Sequence, residues 1–116
     1  MKIYRSIVAF LLATSFSTCA MAANVIKIAI TGPFSGGSAP MGVSMRDGAK
    51  LAFAQINQRG GVNVGGKMMK IEIIERDDEG KNDRGALVAQ EISSMSDISA
   101  VIGTVNTGVA LMGDKQ

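Results

Sequence analysis

A glycine-rich stretch with the spacing of a phosphate-binding loop follows the first apolar segment of the chain. Residues 37–44 read GSAPMGVS, which fits G-x-x-x-x-G-K-[ST] except that Val43 replaces the lysine. Without that lysine, the loop has no cation for the β- and γ-phosphates of a nucleotide. Backbone N–H groups at the start of a following helix can still hold a carboxylate. We therefore expect a small polar ligand here, with Ser35 and Gly36 as candidate contacts; a plain turn and a nucleotide site are the alternatives.

A second stretch, GTVNTG at residues 103–108, combines hydroxyl and amide side chains. Thr104, Asn106 and Thr107 follow an apolar segment and precede the start of a predicted helix at Gly108. Thr107 can donate through its hydroxyl and its backbone N–H, which suits a carboxylate or an amino-acid head group. Plain capping of the next helix by Asn106 or Thr107 is the alternative, and the two roles are compatible.

An acidic cluster, Asp77-Asp78-Glu79 with Asp83 close behind, raises the possibility of a calcium site or a pair of catalytic carboxylates. The cluster lacks the D-x-[DN]-x-[DN]-G register of a calcium loop. Asp83 suits the start of a helix, where negative charge is stabilised by the helix dipole. No second catalytic partner is visible. We expect a turn followed by a helix cap, and no metal, cofactor or catalytic residue.

The methionines divide into two groups. Met45, Met69 and Met95 fall on predicted apolar faces and are expected in the core. Met41 lies in the glycine-rich stretch, just before the predicted helix. Its side chain either packs within the loop or forms a wall of a ligand pocket.

The first 22 residues have the parts of a secretory signal. Lys2 and Arg5 precede a short apolar run, and a small-residue exit ends at Ala22, after which we expect cleavage. The apolar run is too short to span a bilayer, which takes about 20 residues. Lipid attachment at Cys19 is disfavoured because Thr18 is a poor residue to precede a lipidated cysteine. Residues 23–116 are expected to form the mature domain.

The mature composition excludes several classes of protein. Removal of the leader removes Cys19 and Tyr4, and the whole chain has no histidine or tryptophan. Disulfide frameworks, Cys/His zinc sites and His- or Cys-dependent catalytic sites are therefore excluded within this segment. Twelve basic residues less Lys2 and Arg5 leave ten, which equals the ten acidic residues. This neutrality argues against a nucleic-acid surface.

Apolar periodicity predicts three strands separated by helices. The first strand is apolar on both faces except for Lys27, which indicates a buried, parallel strand. The second alternates apolar residues with Lys70 and Glu72, which indicates an edge position. The predicted strands are 25–31, 68–76 and 98–102.

The helices are predicted from stripes at a spacing of three and four residues. The first helix runs from about residue 42 to residue 59, and Gly60-Gly61 is its C-terminal cap. Asn57 lies outside the apolar stripe of this helix. The second runs to about Met95 and is capped by Asn82 or Asp83. A third begins near 109–112. The apolar stripe of the first helix comprises Met45, Ala49, Ala52, Phe53 and Ile56, and that of the second comprises Leu87, Val88, Ile92 and Met95.

This alternation predicts an α/β fold with a partial doubly wound parallel sheet in the order 2-1-3. Ligands of such sheets bind beyond the carboxyl ends of the strands, where the strand order reverses. The two polar stretches follow strands one and three, which flank that point. The third strand would leave an open apolar edge, so we expect the N-terminal portion of a longer protein.

Three ordered motifs carry a family resemblance: IAITGPFSGGSAPMGVSMRDGAKLAFAQINQRGGV, then IEIIERDDEGK, then AVIGTVNTGVAL. Together they resemble the N-terminal lobe of the leucine/isoleucine/valine-binding family, the periplasmic substrate-binding proteins of ABC transporters. The resemblance implies a type I periplasmic-binding fold, in which two α/β lobes joined by a hinge close on one solute. It covers residues 24–116.

The resemblance also implies roles for individual residues. Thr107 falls where the family places a hydroxyl that binds the solute's head group, with Val105 and Asn106 beside it. Met41 falls where amino-acid-binding members often have an aromatic residue. Asn106 stands where some members have a cysteine partnered near Gly80, so that bridge is absent. The change at Met41 weakens assignment to leucine, isoleucine or valine and leaves other amino acids and carboxylates open.

We expect the periplasmic solute-binding component of an ABC importer, monomeric when full length, that delivers an amino acid or related carboxylate to membrane permease subunits. Partners therefore include a small-molecule solute and the permease, and exclude nucleic acid. The sensory ectodomain of a receptor with the same fold is the first alternative. An α/β enzyme with a nucleotide-binding domain is the second, against which the missing lysine, histidine and cysteine count.

Overall fold

The computed structural model describes residues 24–114, so the predicted leader and Cys19 lie outside the described residues. Strands and helices alternate along most of this range, as the apolar periodicity predicts. The elements, in chain order, are β1 (Val25–Gly32), α1 (Ala39–Gln58), β2 (Val62–Val64), β3 (Lys67–Asp77), α2 (Asn82–Ser94), β4 (Ile98–Ile102) and α3 (Thr107–Gly113).

The sheet has the order β2-β3-β1-β4. β1 is central and pairs in parallel with β3 on one side, from Val25↔Lys70 to Gly32↔Asp77. On its other side it pairs in parallel with β4, with an irregularity between Lys27 and Ile28. The predicted order 2-1-3 of parallel strands is confirmed by β3, β1 and β4. All three strands end at the same edge of the sheet, which we call the carboxyl edge.

The short strand β2 was not predicted, and it makes the sheet mixed. It pairs antiparallel with the first three residues of β3, with Val64 opposite Lys67. Gly65 and Gly66 form a two-residue turn with φ of +60° and +87°, which only glycine adopts without strain and which suits a tight hairpin. The predicted edge position of the second strand is therefore wrong for its first two residues, Met68 and Met69. Gly65-Gly66 indicates a hairpin in the sequence, but the prediction of strands from apolar periodicity alone does not use this glycine pair.

Helices cover both faces of the sheet, as a doubly wound fold requires. Successive strand residues point to opposite faces. On one face, buried Ala29 of β1 packs with Val88 and Ile92 of α2. On the other, the Met45 side chain of α1 lies 3.0 Å from where a Cβ on Gly32 would stand. The buried core thus has β1 at its centre.

Two residues of α1 depart from the predicted stripe. Ala52 is exposed, although it was expected on the apolar side. Asn57, expected off the stripe, faces β3: its Nδ2 donates to the carbonyl of Ile71 at 2.8 Å, and its Oδ1 accepts from the N–H of Ile71 at 2.8 Å. The amide therefore matches both hydrogen-bonding groups of one strand residue. Apolar periodicity does not detect such a polar contact.

The helix starts also differ from the predictions. α1 begins at Ala39 rather than near Gly42, because Pro40 suits the first helical turn, where no N–H partner is needed. The N-cap of α2 is Lys81, which makes no side-chain capping bond, so Asn82 and Asp83 lie inside the helix. Asp83 still lies in the first turn, where a negative charge is favourable.

Two further expectations about the helices are corrected by the structure. Leu87 is 57% exposed, so it does not belong to the buried side of α2. α3 begins at Thr107, with Asn106 at the N-cap position but without a side-chain capping bond. The predicted capping role of Asn106 is therefore wrong in its hydrogen bonding, although the position is right.

The end of α1 is the predicted glycine cap. Gly60 donates to the carbonyl of Asn57 at 3.1 Å, and Gly61 donates to that of Ile56 at 3.0 Å, which is the pairing of a Schellman motif. Both glycines have φ above +100°. A Cβ on Gly61 would also overlap the carbonyl oxygen of Met69, so this cap fits closely against β3.

We predict that Gly61→Ala destabilises the protein more than Gly65→Ala. Both glycines have positive φ, but a Cβ on Gly65 meets no atom within 4 Å, so it is the matched control for backbone strain alone. Gly65→Ala should lower the free energy of unfolding by about 1 kcal/mol. Gly61→Ala should lower the free energy of unfolding by more than about 2 kcal/mol, because the new Cβ also overlaps the backbone of β3. Chemical denaturation of both variants measures this, and equal losses would contradict the close fit.

Candidate functional site

Two loops meet at the carboxyl edge of the sheet. The first loop, residues 33–38, joins β1 to α1, and the second loop, residues 103–106, joins β4 to α3. Because β1 and β4 are adjacent and parallel, their loops emerge side by side. This is the position where open α/β sheets bind ligands.

The first loop is held by Asp77, the last residue of β3. One carboxylate oxygen accepts from the backbone N–H groups of Phe34 and Glu79, both at 2.8 Å, and the other accepts from the Ser35 hydroxyl at 2.6 Å. Partial burial favours the protonated carboxyl, but these hydrogen bonds outweigh it and lower the pKa of Asp77. The ionised carboxylate therefore fixes the start of the first loop.

The ring of Phe34 is restrained as well as its backbone N–H. The guanidinium carbon of Arg46 in α1 lies 5.3 Å from the ring centroid, within the range of a cation–π contact. Arg46 also lies 3.7 Å from a carboxylate oxygen of Glu75 in β3. The aromatic ring of the first loop is thereby packed against α1.

The second loop is held by the neighbouring carboxyl group, that of Asp78. Asp78 is 0% exposed, and it is the only buried charged residue among residues 24–114. One of its oxygens accepts from the N–H of Gly80 at 2.8 Å, and the other accepts from the Thr104 hydroxyl at 2.5 Å. Its own N–H donates to the carbonyl of Gly32, the last residue of β1, at 3.0 Å. Asp78 therefore connects β3, the end of β1 and the second loop.

Residues 77–80, which we call the acidic turn, contact both loops a second time through the backbone. A Cβ on Gly36 of the first loop would lie 3.2 Å from the carbonyl oxygen of Glu79. A Cβ on Gly80 would lie 3.5 Å from Oδ1 of Asn106 in the second loop. Gly36 and Gly80 both have positive φ, +78° and +67°. The positive φ favours glycine at both positions, and at Gly36 the missing Cβ also permits the two backbones to approach.

The loops also contact each other directly. Nδ2 of Asn106 donates to the Ser38 hydroxyl at 3.4 Å, a long hydrogen bond. Oδ1 of Asn106 is buried and has no hydrogen-bond partner. The closeness of Gly80 and Asn106 agrees with the bridge position implied by the family resemblance. In this chain an amide occupies that position.

The structure places the remaining predicted site residues around these loops. Met41 lies in the first turn of α1 and is 64% exposed. Val105 is half-buried and Thr107 is exposed, and Gly108 lies against the side chain of Asn82 in α2. Within residues 24–114, no hydrogen bond joins Thr107 or Gly108 to the first loop. The structure thus brings Ser35, Gly36, Thr104 and Asn106 together through the acidic turn and leaves Met41 and Thr107 accessible.

The phosphate-loop spacing has a structural explanation without a phosphate. Pro33 is fully buried, and a Cβ on Gly42 would overlap its carbonyl oxygen. Gly42 therefore permits the first turn of α1 to pack directly on the first loop. This packing accounts for the second glycine of the spacing.

The described part of the chain contains neither a cluster of metal-ligating side chains nor a membrane-spanning helix. No group of three or more His, Cys, Asp or Glu side chains in residues 24–114 is arranged to hold a metal ion. None of the described helices is both long enough and apolar enough to cross a membrane.

A separate cavity of about 310 Å³ opens between α2, α3 and β4. Its lining is mainly apolar, and Gly103 and Thr104 of the second loop also line it. Representative lining residues are Val88, Ile92, Val101, Val109 and Ala110. Its apolar character does not match the polar contacts expected for a head group.

Sequence reasoning missed three residues that organise the site. Asp77 and Asp78 were read as a turn, and Ser38 was not singled out. The available signal was position: an acidic pair directly after β3 lies at the same edge as the polar loops after β1 and β4. Hydroxyl and N–H donors in those loops need acceptors, and the two carboxyl groups supply them.

The comparisons with known proteins concern the family and the fold. The sequence profile of a family described as periplasmic binding protein matches residues 25–114. The chain is 50% identical over 48 residues to the leucine-, isoleucine-, valine-, threonine- and alanine-binding protein of Pseudomonas aeruginosa. That match covers 41% of this chain and 13% of the relative.

Two solved structures extend the comparison to the fold. One is the branched-chain amino acid transporter substrate-binding protein LivJ of Streptococcus pneumoniae in complex with isoleucine (30% identity, TM-score 0.68, 77% of this chain and 24% of that chain). The other is an ABC transporter solute-binding protein of R. palustris in complex with benzoate (28% identity, TM-score 0.64, 78% and 24%). The chain spans about a quarter of each solved relative. These matches confirm the predicted α/β fold of a type I periplasmic-binding protein.

We predict that the stabilising effect of Asp77 depends on pH. Because the pKa of Asp77 is lowered in the folded state, its contribution is present above the ordinary pKa and is lost as pH falls through the folded-state pKa. The difference in free energy of unfolding between wild type and Asp77→Asn should be constant near neutral pH and should shrink below about pH 4. Denaturation at a series of pH values measures it.

Asp83→Asn is the matched control, because it also removes one carboxylate near the acidic turn but no described hydrogen bond joins Asp83 to the first loop. The account of Asp77 would be contradicted by a difference that stays constant, or grows, as the pH is lowered.

Proposed function

We propose that this chain, which belongs to the periplasmic binding protein family, contributes the N-terminal lobe of the solute-binding component of an ABC importer. The observation that carries the proposal is the pair of polar loops, fixed side by side at the carboxyl edge by the acidic turn. Thr107 and Met41 remain exposed beside them. A rigid polar edge with accessible side chains suits non-covalent capture of a small solute.

The proposed contacts divide between the polar and apolar parts of the solute. Thr107 donates its hydroxyl to a carboxylate, and Val105 and Asn106 flank that head group. Met41 supplies a flexible apolar wall, since a thioether side chain adapts to ligands of different shape. Ser35, Gly36, Thr104 and Gly108 form the surrounding loop surface.

The proposed solute is a hydrophobic amino acid or a related carboxylate. Isoleucine and benzoate, the ligands of the two solved relatives, share a carboxylate and an apolar body. The Pseudomonas relative is named for binding five amino acids. A carboxylate head group is the common feature that donors at the second loop would recognise.

Capture then requires closure of a second lobe over this edge. The solute favours the closed form by contacting both lobes, so it shifts an open–closed equilibrium. In the proposed assembly, the closed full-length protein is a monomer in the periplasm that delivers its solute to the membrane permease subunits. No step of covalent chemistry is involved.

A ligand-sensing ectodomain of a receptor is the second candidate, because the same lobe and the same loops would serve it. The reading frame after Gln116 distinguishes the two. A membrane-spanning segment encoded there favours the receptor, and neighbouring permease genes favour the importer.

We predict that the full-length mature protein binds at least one member of a panel of amino acids and organic acids. Isothermal titration calorimetry should give a dissociation constant in the micromolar range or tighter, corresponding to about −8 kcal/mol. Leucine, isoleucine, valine, phenylalanine and benzoate form the core of the panel, and glucose is the control without a carboxylate. The absence of binding to every acid in the panel would refute the proposal.

We predict that Thr107→Val weakens binding of the preferred solute at least about tenfold, because it removes one hydrogen bond to a charged group. Thr107→Ser keeps the hydroxyl and should stay within about threefold of wild type. Since Thr107 is exposed, neither variant should lower the melting temperature appreciably. Equal affinities of the valine and serine variants would show that the hydroxyl does not contact the solute.

A further inference from the structure

We propose that Asp78 is a positioning residue for solute binding, acting through Thr104 to fix the second loop relative to the first. The inference rests on the proposed function and deepens it. Asp78 cannot touch a solute itself, because it is 0% exposed. Its influence on affinity must therefore pass through the groups that it holds.

The hydrogen bonds of Asp78 restrain the second loop strongly. A carboxyl group removed from water is costly unless its oxygens are hydrogen-bonded. Here one oxygen is satisfied inside the acidic turn by the N–H of Gly80, and the other by the hydroxyl of Thr104. Movement of Thr104 away from the turn would leave a buried acceptor unpaired. The second loop is thus tied to the end of β3.

The first loop is tied to the same turn by the preceding residue. Asp77 accepts hydrogen bonds from Phe34 and Ser35, whereas Asp78 bonds Thr104. Consecutive side chains at a strand end point in opposite directions, so one short turn can reach both loops. The separation of the two loops is therefore set by the acidic turn, which lies outside the proposed solute contacts.

The direct contact between the loops is too weak to do this alone. The hydrogen bond from Asn106 to Ser38 is 3.4 Å long, against 2.5 Å between Thr104 and Asp78. Thr104 lies three residues before Thr107, the proposed head-group donor. A binding site must hold such groups within about 0.5 Å of the productive geometry. Loss of the bond between Asp78 and Thr104 would release that restraint.

The test is a double-mutant cycle in the full-length protein, with solute affinity measured by calorimetry and stability by thermal melting. Asp78→Ala removes both acceptor oxygens, so neither the Gly80 N–H nor the Thr104 hydroxyl keeps its partner. Thr104→Val keeps the volume and removes the hydroxyl. Each single change should weaken binding of the preferred solute at least about tenfold. Because both changes remove the same interaction, the affinity of the double variant should be within about twofold of that of the weaker-binding single variant.

Two further variants separate positioning from general stability. Thr104→Ser restores the hydroxyl and should bring the affinity to within about threefold of wild type. Val88→Ala opens the core on the α2 side and should lower the melting temperature without changing the affinity. If Asp78→Ala gives too little folded protein, the comparison of Thr104→Val with Thr104→Ser decides the question.

Several outcomes would overturn the inference. If the wild type binds solute and Asp78→Ala and Thr104→Val bind it with unchanged affinity, the inference is overturned and the proposed function stays intact. Additive losses in the double variant would show that the two residues act separately. A wild-type protein that binds no solute would overturn the proposed function and, with it, the inference.

Discussion

The carboxyl group of Asp78 has no contact with water, and the arrangement of the carboxyl edge depends on how its two oxygens are hydrogen-bonded. An unpaired buried acceptor costs about 1–3 kcal/mol, a large fraction of the stability of a small domain. The acidic turn and the second loop must therefore stay together whenever the domain is folded. Asp77, which is half-buried, holds the first loop through hydrogen bonds closer to the surface. The central strand β1 ends beside both carboxyl groups. The register of the sheet therefore also fixes where the two loops begin.

Much of this arrangement follows from the sequence. The apolar periodicity of β1, β3 and β4 predicts a parallel order with β1 at the centre, and parallel strands place their ends at one edge. The order of strands alone therefore predicts that the polar stretches after β1 and β4 lie at the same edge. Gly60-Gly61 predicts the end of α1 because the cap requires positive φ, a local property of the chain.

The rest could not be predicted because it depends on contacts between distant residues. Asp78 and Thr104 are 26 positions apart, and local pattern gives no sign that the carboxyl group is buried. Asn57 was assigned to the polar side of α1, although its amide pairs with the backbone of Ile71. Local pattern also misplaced the start of α1, where Pro40 permits a helix that the apolar stripe does not require. Polar contacts of this kind leave no trace in hydrophobic periodicity.

The central claim is that the two loops, held by the acidic turn, form one half of a solute site. A crystal structure of the full-length protein with its bound solute tests it most directly. The account predicts a carboxylate within hydrogen-bond distance of the Thr107 hydroxyl, the apolar part of the solute against Met41, and the bond between Asp78 and Thr104 intact. A solute bound away from the Thr107 hydroxyl and without contact to the first loop, for example inside the cavity between α2, α3 and β4, would contradict it.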